Sequence, residues 1–277
     1  MRTHPRILAG CLLAAAAALP QAQTQAITVD GQRDADYTLG ALQANPTGWG
    51  SGNVLANLYY HRGATQLSLF TGGRPDGNAF LIFVDTKAGG QNVLNNAQTG
   101  GDAYQLNNLN GFKFDAGFEA DYMLRVYGDG SGNAYVNVFD FEADANGYWG
   151  NANPSPVLLG VAAFARDWQS VPAGYDPASV TTGFEISLDY ALVGLTGPAE
   201  SWKVSAMLSN GGSDYLSNQQ LGSLPVGTGD IAGSSSGNWD QTKFAGDQYV
   251  VVPEPATGAL LAAGLALLLA ARPRRQP

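Results

Sequence analysis

Between residues 54 and 252 the chain passes from apolar to polar and back with a period of two, the mark of half-buried strands. Residues 54–60 form one such segment. Residues 67–70 open another in strict alternation, with Leu67 and Leu69 on one face. Residues 79–84 are a continuous apolar run closed by Asp85, as expected of a strand buried on both faces. Residues 120–127 and 134–139 flank Gly128-Asp129-Gly130-Ser131-Gly132-Asn133, which predicts a hairpin with a glycine-rich turn. Residues 183–188 alternate with Phe184, Ile186 and Leu188 inward, and Asp189 suits the cap of one short helical turn through Leu195. Residues 202–208 alternate again, and 248–252 make a closing strand. Ile82, Phe83, Phe184, Ile186 and Val204 are therefore expected in the core. Strands parted by turn-rich loops, with almost no helix, predict an all-β fold: one antiparallel, jelly-roll-like β-sandwich over residues 27–252. The stretches 151–156 and 227–238 read as long loops, and no internal repeat is evident.

The two ends follow other patterns. Arg2, His4 and Arg6 precede an apolar run over 7–19 and a break at Pro20, the layout of a signal peptide spanning 1–26, with cleavage after Ala22 or Ala26. Leu8-Ala9-Gly10-Cys11 has the form of a lipoprotein cleavage site, yet most of the apolar run follows Cys11, which argues against lipidation. At the other end Pro253-Glu254-Pro255 is followed by an uncharged apolar run over 256–271 and then by Arg272, Arg274 and Arg275. As a helix that run would be about 24 Å long, slightly short of a hydrocarbon core of roughly 30 Å. The arginines would stay on the cytoplasmic side and leave the body outside. The prolines halt helix upstream and hold Glu254 in an extended segment.

This order of Pro-Glu-Pro, apolar span and basic end resembles the PEP-CTERM sorting signal of Gram-negative bacteria. The resemblance implies export, a precursor held at the inner membrane over residues 253–277, cleavage by an exosortase, and delivery to the cell surface or extracellular matrix. The plain alternative is a C-terminal anchor that is never cut.

Composition then narrows the chemistry. With 36 Gly, 14 Pro and 13% charged residues, the chain is poor in helix formers. Losing Arg2, Arg6, Arg272, Arg274, Arg275 and Glu254 with the two ends takes 14 basic and 23 acidic residues to 9 and 22, net −13. So acidic a body repels phosphate backbones, and no nucleic-acid partner is expected. The one cysteine leaves with the signal peptide, so disulfides and thiolate chemistry are excluded from the mature chain.

Several body segments together resemble DOMON-like and family-nine carbohydrate-binding-like sandwiches. These are Ile27-Thr28-Val29-Asp30-Gly31 with Asp34 and Tyr37, Phe83-Val84-Asp85-Thr86 with Gly89-Gly90-Gln91, residues 114–122, and Gly183-Phe184-Glu185-Ile186. Leu216-Ser217-Asn218-Gln219 and Gly246-Asp247-Gln248-Tyr249 are similar to the closing part of PEP-CTERM proteins sharing this body. In that wider group the fold hosts sugar binding, haem binding and unassigned roles, so fold does not choose a function.

The residues themselves restrict the choice. Haem would have to draw on His61, Met123 and Met207, and the methionines sit in strand patterns where core packing is the simpler role. Any Ser-His or zinc chemistry would rest on His61 alone, at a strand end running into a turn. Acidic residues are plentiful enough for a glycosidase pair, but nothing marks one pair above the rest. No enzyme is therefore expected. Trp49 and the pair Tyr148–Trp149 lie among glycines and asparagines outside any clean alternating strand, which places them in loops, where an aromatic ring can stack on a sugar or cap the open edge of the core. Glu142, Asp144 and Asn146 alternate before Gly147 like the first half of a calcium loop, which makes a structural calcium a candidate cofactor. The reading is an exported, non-catalytic sandwich associated with exopolysaccharide. Its rivals are a purely structural surface protein and, less favoured, an acidic glycosidase.

Overall fold

The computed structural model describes residues 27–49, 53–75, 77–97, 103–128, 133–143, 145–150, 157–161, 176–198, 200–222, 224–229 and 236–253; side chains are not described for 145–150, 157–161 and 236. The strands are β1 (Thr38–Leu42), β2 (Asn53–Arg62), β3 (Gln66–Pro75), β4 (Ala79–Asp85), β5 (Tyr122–Gly128) and β6 (Ala134–Asp140). They continue as β7 (Ala145–Gly150), β8 (Val157–Val161), β9 (Gly183–Asp189), β10 (Trp202–Ser209), β11 (Leu216–Leu221) and β12 (Val250–Val252). One short helix, α1 (Ala103–Asn107), lies between β4 and β5.

The strands form two antiparallel sheets, as the alternation predicts. One runs β1-β2-β3-β9-β8 and the other β11-β10-β4-β5-β6-β7. β12 joins the second sheet beside β10, pairing Trp202–Val204, while β11 pairs further along the same strand at Ala206–Ser209. Register explains the core. Leu67 faces Leu188 and Leu69 faces Ile186 across β3 and β9, and cross-strand partners share a face. These four side chains meet Phe80, Ile82, Val84, Leu124 and Val204 of the other sheet in one buried cluster. Phe80 and Phe184 close it edge to face, with ring centroids 5.8 Å apart.

The unbroken apolar run of β4 is buried on both sides because the second sheet has two covers. Phe80, Ile82 and Val84 point between the sheets, whereas Ala79, Leu81 and Phe83 enter a separate cluster. That outer cluster is built from Leu94, Leu106, Leu109, Phe112, Phe114 and Phe118, on the long connection from β4 to β5 that contains α1. Phe83 stacks on Phe112 at 6.1 Å and meets the edge of Phe114 at 4.8 Å. Met123 and Met207 belong to this cluster and are core residues.

Two local expectations are corrected. The turn after β9 forms as a 3-10 helix over Tyr190–Val193, but the Asp189 side chain does not cap it. It accepts from Gln66 Nε2 at 3.2 Å instead, since a cross-strand donor lies closer to hand. Tyr148 and Trp149 are not in a loop: they lie in β7, where β6 offers an open edge and pairs Asn137 with Tyr148 and Val136 with Trp149. Tertiary pairing has overridden a glycine- and asparagine-rich local sequence.

Candidate functional site

Segments far apart in the sequence are joined in space by three buried carboxylates. On β9, Glu185 is fully buried; its Oε2 accepts the backbone N–H groups of Asp30 (2.8 Å) and Gly31 (2.9 Å), and its Oε1 accepts the Tyr37 hydroxyl at 2.8 Å. Burial pushes the Glu185 carboxyl above its ordinary range despite these donors. The Tyr37 phenol is pushed up too, by burial and then by the Glu185 charge. Asp121 Oδ2 accepts from Thr86 N (2.7 Å) and Lys87 N (2.9 Å), fixing the chain where it leaves β4. Burial raises this carboxyl as well. Asp115 Oδ2 accepts from Gln248 N at 3.2 Å, and its own N–H donates to Gln241 Oε1 at 3.2 Å.

A cleft of about 420 Å³ opens where the outer layer stops, at the end of β4 and the start of β10. Its walls include Asp85, Lys87, Glu119, Lys203 and Val251. Asp85 Oδ2 accepts from Lys203 Nζ at 2.9 Å and from Glu119 N at 3.1 Å. The Lys203 ammonium also donates to Gly117 O and lies 5.7 Å from the centre of the Tyr249 ring. Lys87 pairs with Glu142, which raises the lysine and lowers the glutamate. Val251 is 54% exposed and supplies an apolar wall. Each cation thus stands beside an acid, so the cleft offers paired donors and acceptors to a polar ligand without demanding a net charge. Gly90 keeps the nearby turn closed: a Cβ there would lie 2.4 Å from Glu119 O and 2.7 Å from Ala120 O.

Trp49 does not line this cleft. Trp49 is half-buried and packs against the core between the sheets, as an edge cap does. Tyr148 and Trp149 are on β7, the far strand of the second sheet. Of the calcium candidates, Glu142 is taken by Lys87, Asn146 pairs with Phe139 in the β6–β7 ladder, and Asp144 lies outside the described residues. Among the described residues no group of three or more His, Cys, Asp or Glu side chains could hold a metal ion. His61 is buried on β2 opposite Ser68. Ser68 donates its hydroxyl to Ser187 Oγ at 3.0 Å, while the buried His61 Nε2 has no hydrogen-bond partner among the described residues. Burial lowers the His61 pKa against the pull of Asp36 and Asp34.

The body closes with β12, and its last described residue, Pro253, is the first of the Pro-Glu-Pro motif. Glu254, Pro255, the apolar run and Arg272, Arg274 and Arg275 lie outside the described residues, as does the segment 1–26. Among the described residues no helix is long and apolar enough to cross a membrane. The fold and cleft define a two-sheet antiparallel β protein with a mixed-charge surface cleft. Compared with protein-family models, with curated proteins and with solved structures, the chain matches none.

Proposed function

We propose that this chain is an exported protein of the PEP-CTERM kind. Its residues 1–26 direct export, and its tail, 253–277, holds the precursor in the inner membrane as a helix. An exosortase then removes the tail at Pro253-Glu254-Pro255. The released body, a jelly-roll-like sandwich of the DOMON-like or family-nine carbohydrate-binding-like sort, stays at the cell surface or in the extracellular matrix. There it associates with exopolysaccharide and catalyses nothing.

The observation that carries this reading is the order at the end of the chain. A folded body finishes in β12, and the motif, the apolar run and the arginines follow without a spacer. The cleft beside β12 supports the polysaccharide part, because its carboxylate–ammonium pairs and the Val251 wall suit a hydroxyl-rich ring. Trp49, Tyr148 and Trp149 are the rival contact residues. A specific observation favours the purely structural alternative for part of the body: Glu185, Asp121 and Asp115 are all engaged in tying backbone segments together.

Processing tests the reading directly. Cells producing Glu254→Ala should accumulate a precursor that retains its tail, whereas the natural chain should yield a shorter product by intact-mass measurement. Equal processing of the two chains would overturn it.

A further inference from the structure

Arg62, the last residue of β2, gathers four backbone carbonyls from two separate segments. Its Nη1 donates to Pro198 O and Glu200 O, each at 2.6 Å. Its Nη2 donates to Val252 O at 2.9 Å and Pro253 O at 2.7 Å. The bonds are charge-assisted, which makes them stronger than neutral ones, and the planar guanidinium is suited to holding several acceptors at once. The strand they secure is otherwise short. β12 has three residues, paired to Trp202, Lys203 and Val204, and so short a strand has little hold of its own.

This arrangement decides where a protease can act. A protease that grips its substrate in extended form pairs with the backbone N–H and C=O groups around the scissile bond. In residues 250–253 part of that backbone is already engaged: β10 pairs one edge of β12, and Arg62 holds the carbonyls of Val252 and Pro253. We propose that Arg62 is a positioning residue that sets the upstream limit of tail removal: no cut falls N-terminal to the Pro253–Glu254 bond, and the mature body keeps β12 intact. The inference rests on the reading that the tail is removed, but the clamp itself can be judged without it.

Full-length protein in detergent is digested with subtilisin, and the C-terminus of the resistant body is read by mass spectrometry. The natural chain should end at Pro253 or beyond. Arg62→Met should lose β12, with its C-terminus moving upstream of Val250 and trimming at least tenfold faster. Arg62→Lys should fall between, since one ammonium cannot span four carbonyls. A resistant body of the natural chain that ends upstream of Pro253 overturns the inference whatever the variants do. So does an Arg62→Met protein with an unchanged boundary and rate. In cells, Arg62→Met should be processed to products with ragged upstream ends, while Glu254→Ala stays uncut. Normal cutting of Glu254→Ala would defeat the sorting reading alone, because the digestion boundary still judges the clamp.

Discussion

Glu185 shows how a single side chain can hold a distant segment in place. It carries the N-terminal stretch around Asp30, Gly31 and Tyr37 onto the outer face of the β1-β2-β3-β9-β8 sheet, across sequence separations of 148 to 155 residues. Its carboxyl is raised by burial, so the folded state favours the protonated form over the unfolded chain, whose ordinary value is 4.5. The resulting stabilisation is complete below that value and is lost as pH rises through the higher folded one. Glu185→Gln keeps the shape and removes the titration. The stability of the natural protein relative to Glu185→Gln should therefore fall as pH is raised from the acid side, followed by thermal midpoints of both proteins in matched buffers. A difference that is flat in pH would show that this carboxyl titrates normally. His61 acts with the opposite sign. Its lowered value makes the buried ring neutral, so its contribution is full above the ordinary 6.5 and declines as pH falls below it. The comparison with Glu185→Gln cancels that effect, since both proteins keep His61. Glu185 could be placed on the outward face of its strand from the alternation, but its partners could not, because a hydrogen bond across so long a separation leaves no periodic trace.

Whole elements were legible in the sequence in proportion to how far apolar side chains built them. β4, β5, β6, β9 and β10 fall where the alternation puts them, and Phe184 is fully buried as expected. β11 is the contrary case: it is buried at every position, yet Ser217, Asn218, Gln219 and Gln220 are polar. These side chains replace apolar packing with bonds to β2 and to loops. Gln219 Oε1 accepts Leu55 N at 2.8 Å and its Nε2 donates to Asn45 O at 3.1 Å, while Asn218 Nδ2 donates to Thr228 O at 2.7 Å. A buried polar strand has the composition of a loop, and a period-two search passes over it. The outer layer escaped notice for a related reason: Phe112, Phe114 and Phe118 lie in a connection without long regular elements. Two substitutions separate these modes of burial. Phe184→Ala should cost about 3–5 kcal/mol through lost burial and a cavity. Gln219→Ala should cost about 1–3 kcal/mol for each backbone group left unmet. Urea titration should place both variants well below the natural protein. A Gln219→Ala protein as stable as the natural one would mean that water satisfies Leu55 N and Asn45 O as well as the side chain does.

At the scale of the molecule, the ends and the body carry different kinds of signal. The apolar runs and arginines announce themselves in linear order, whereas the cleft is assembled from β4, the turn after it, the end of the outer layer, β10 and β12. Asp85 and Thr86 stood out only as part of a strand-and-turn signature, and Lys203 and Val251 only as members of alternating strands, because no local pattern encodes the pairing of Asp85 with Lys203 over 118 residues. Aromatic residues among glycines drew attention to Trp49, which packs against the core between the sheets, and to Trp149, which lies on β7. The two locations make opposite predictions for polysaccharide binding. Val251→Glu places a carboxylate across from Lys203, its cross-strand partner, so the fold should keep its stability while the new side chain fills the cleft and occupies the ammonium. If a hydroxyl-rich chain seats there, Val251→Glu should weaken binding to a neutral polysaccharide by at least about tenfold, equivalent to roughly 1.4 kcal/mol. Trp149→Ala should then leave affinity unchanged. The measurement is co-sedimentation or titration calorimetry with the purified processed protein, alongside its thermal midpoint. Loss of binding in Trp149→Ala with Val251→Glu unaffected would move the contact surface to β7. A well-folded natural protein that binds no glycan would leave the body a structural surface protein.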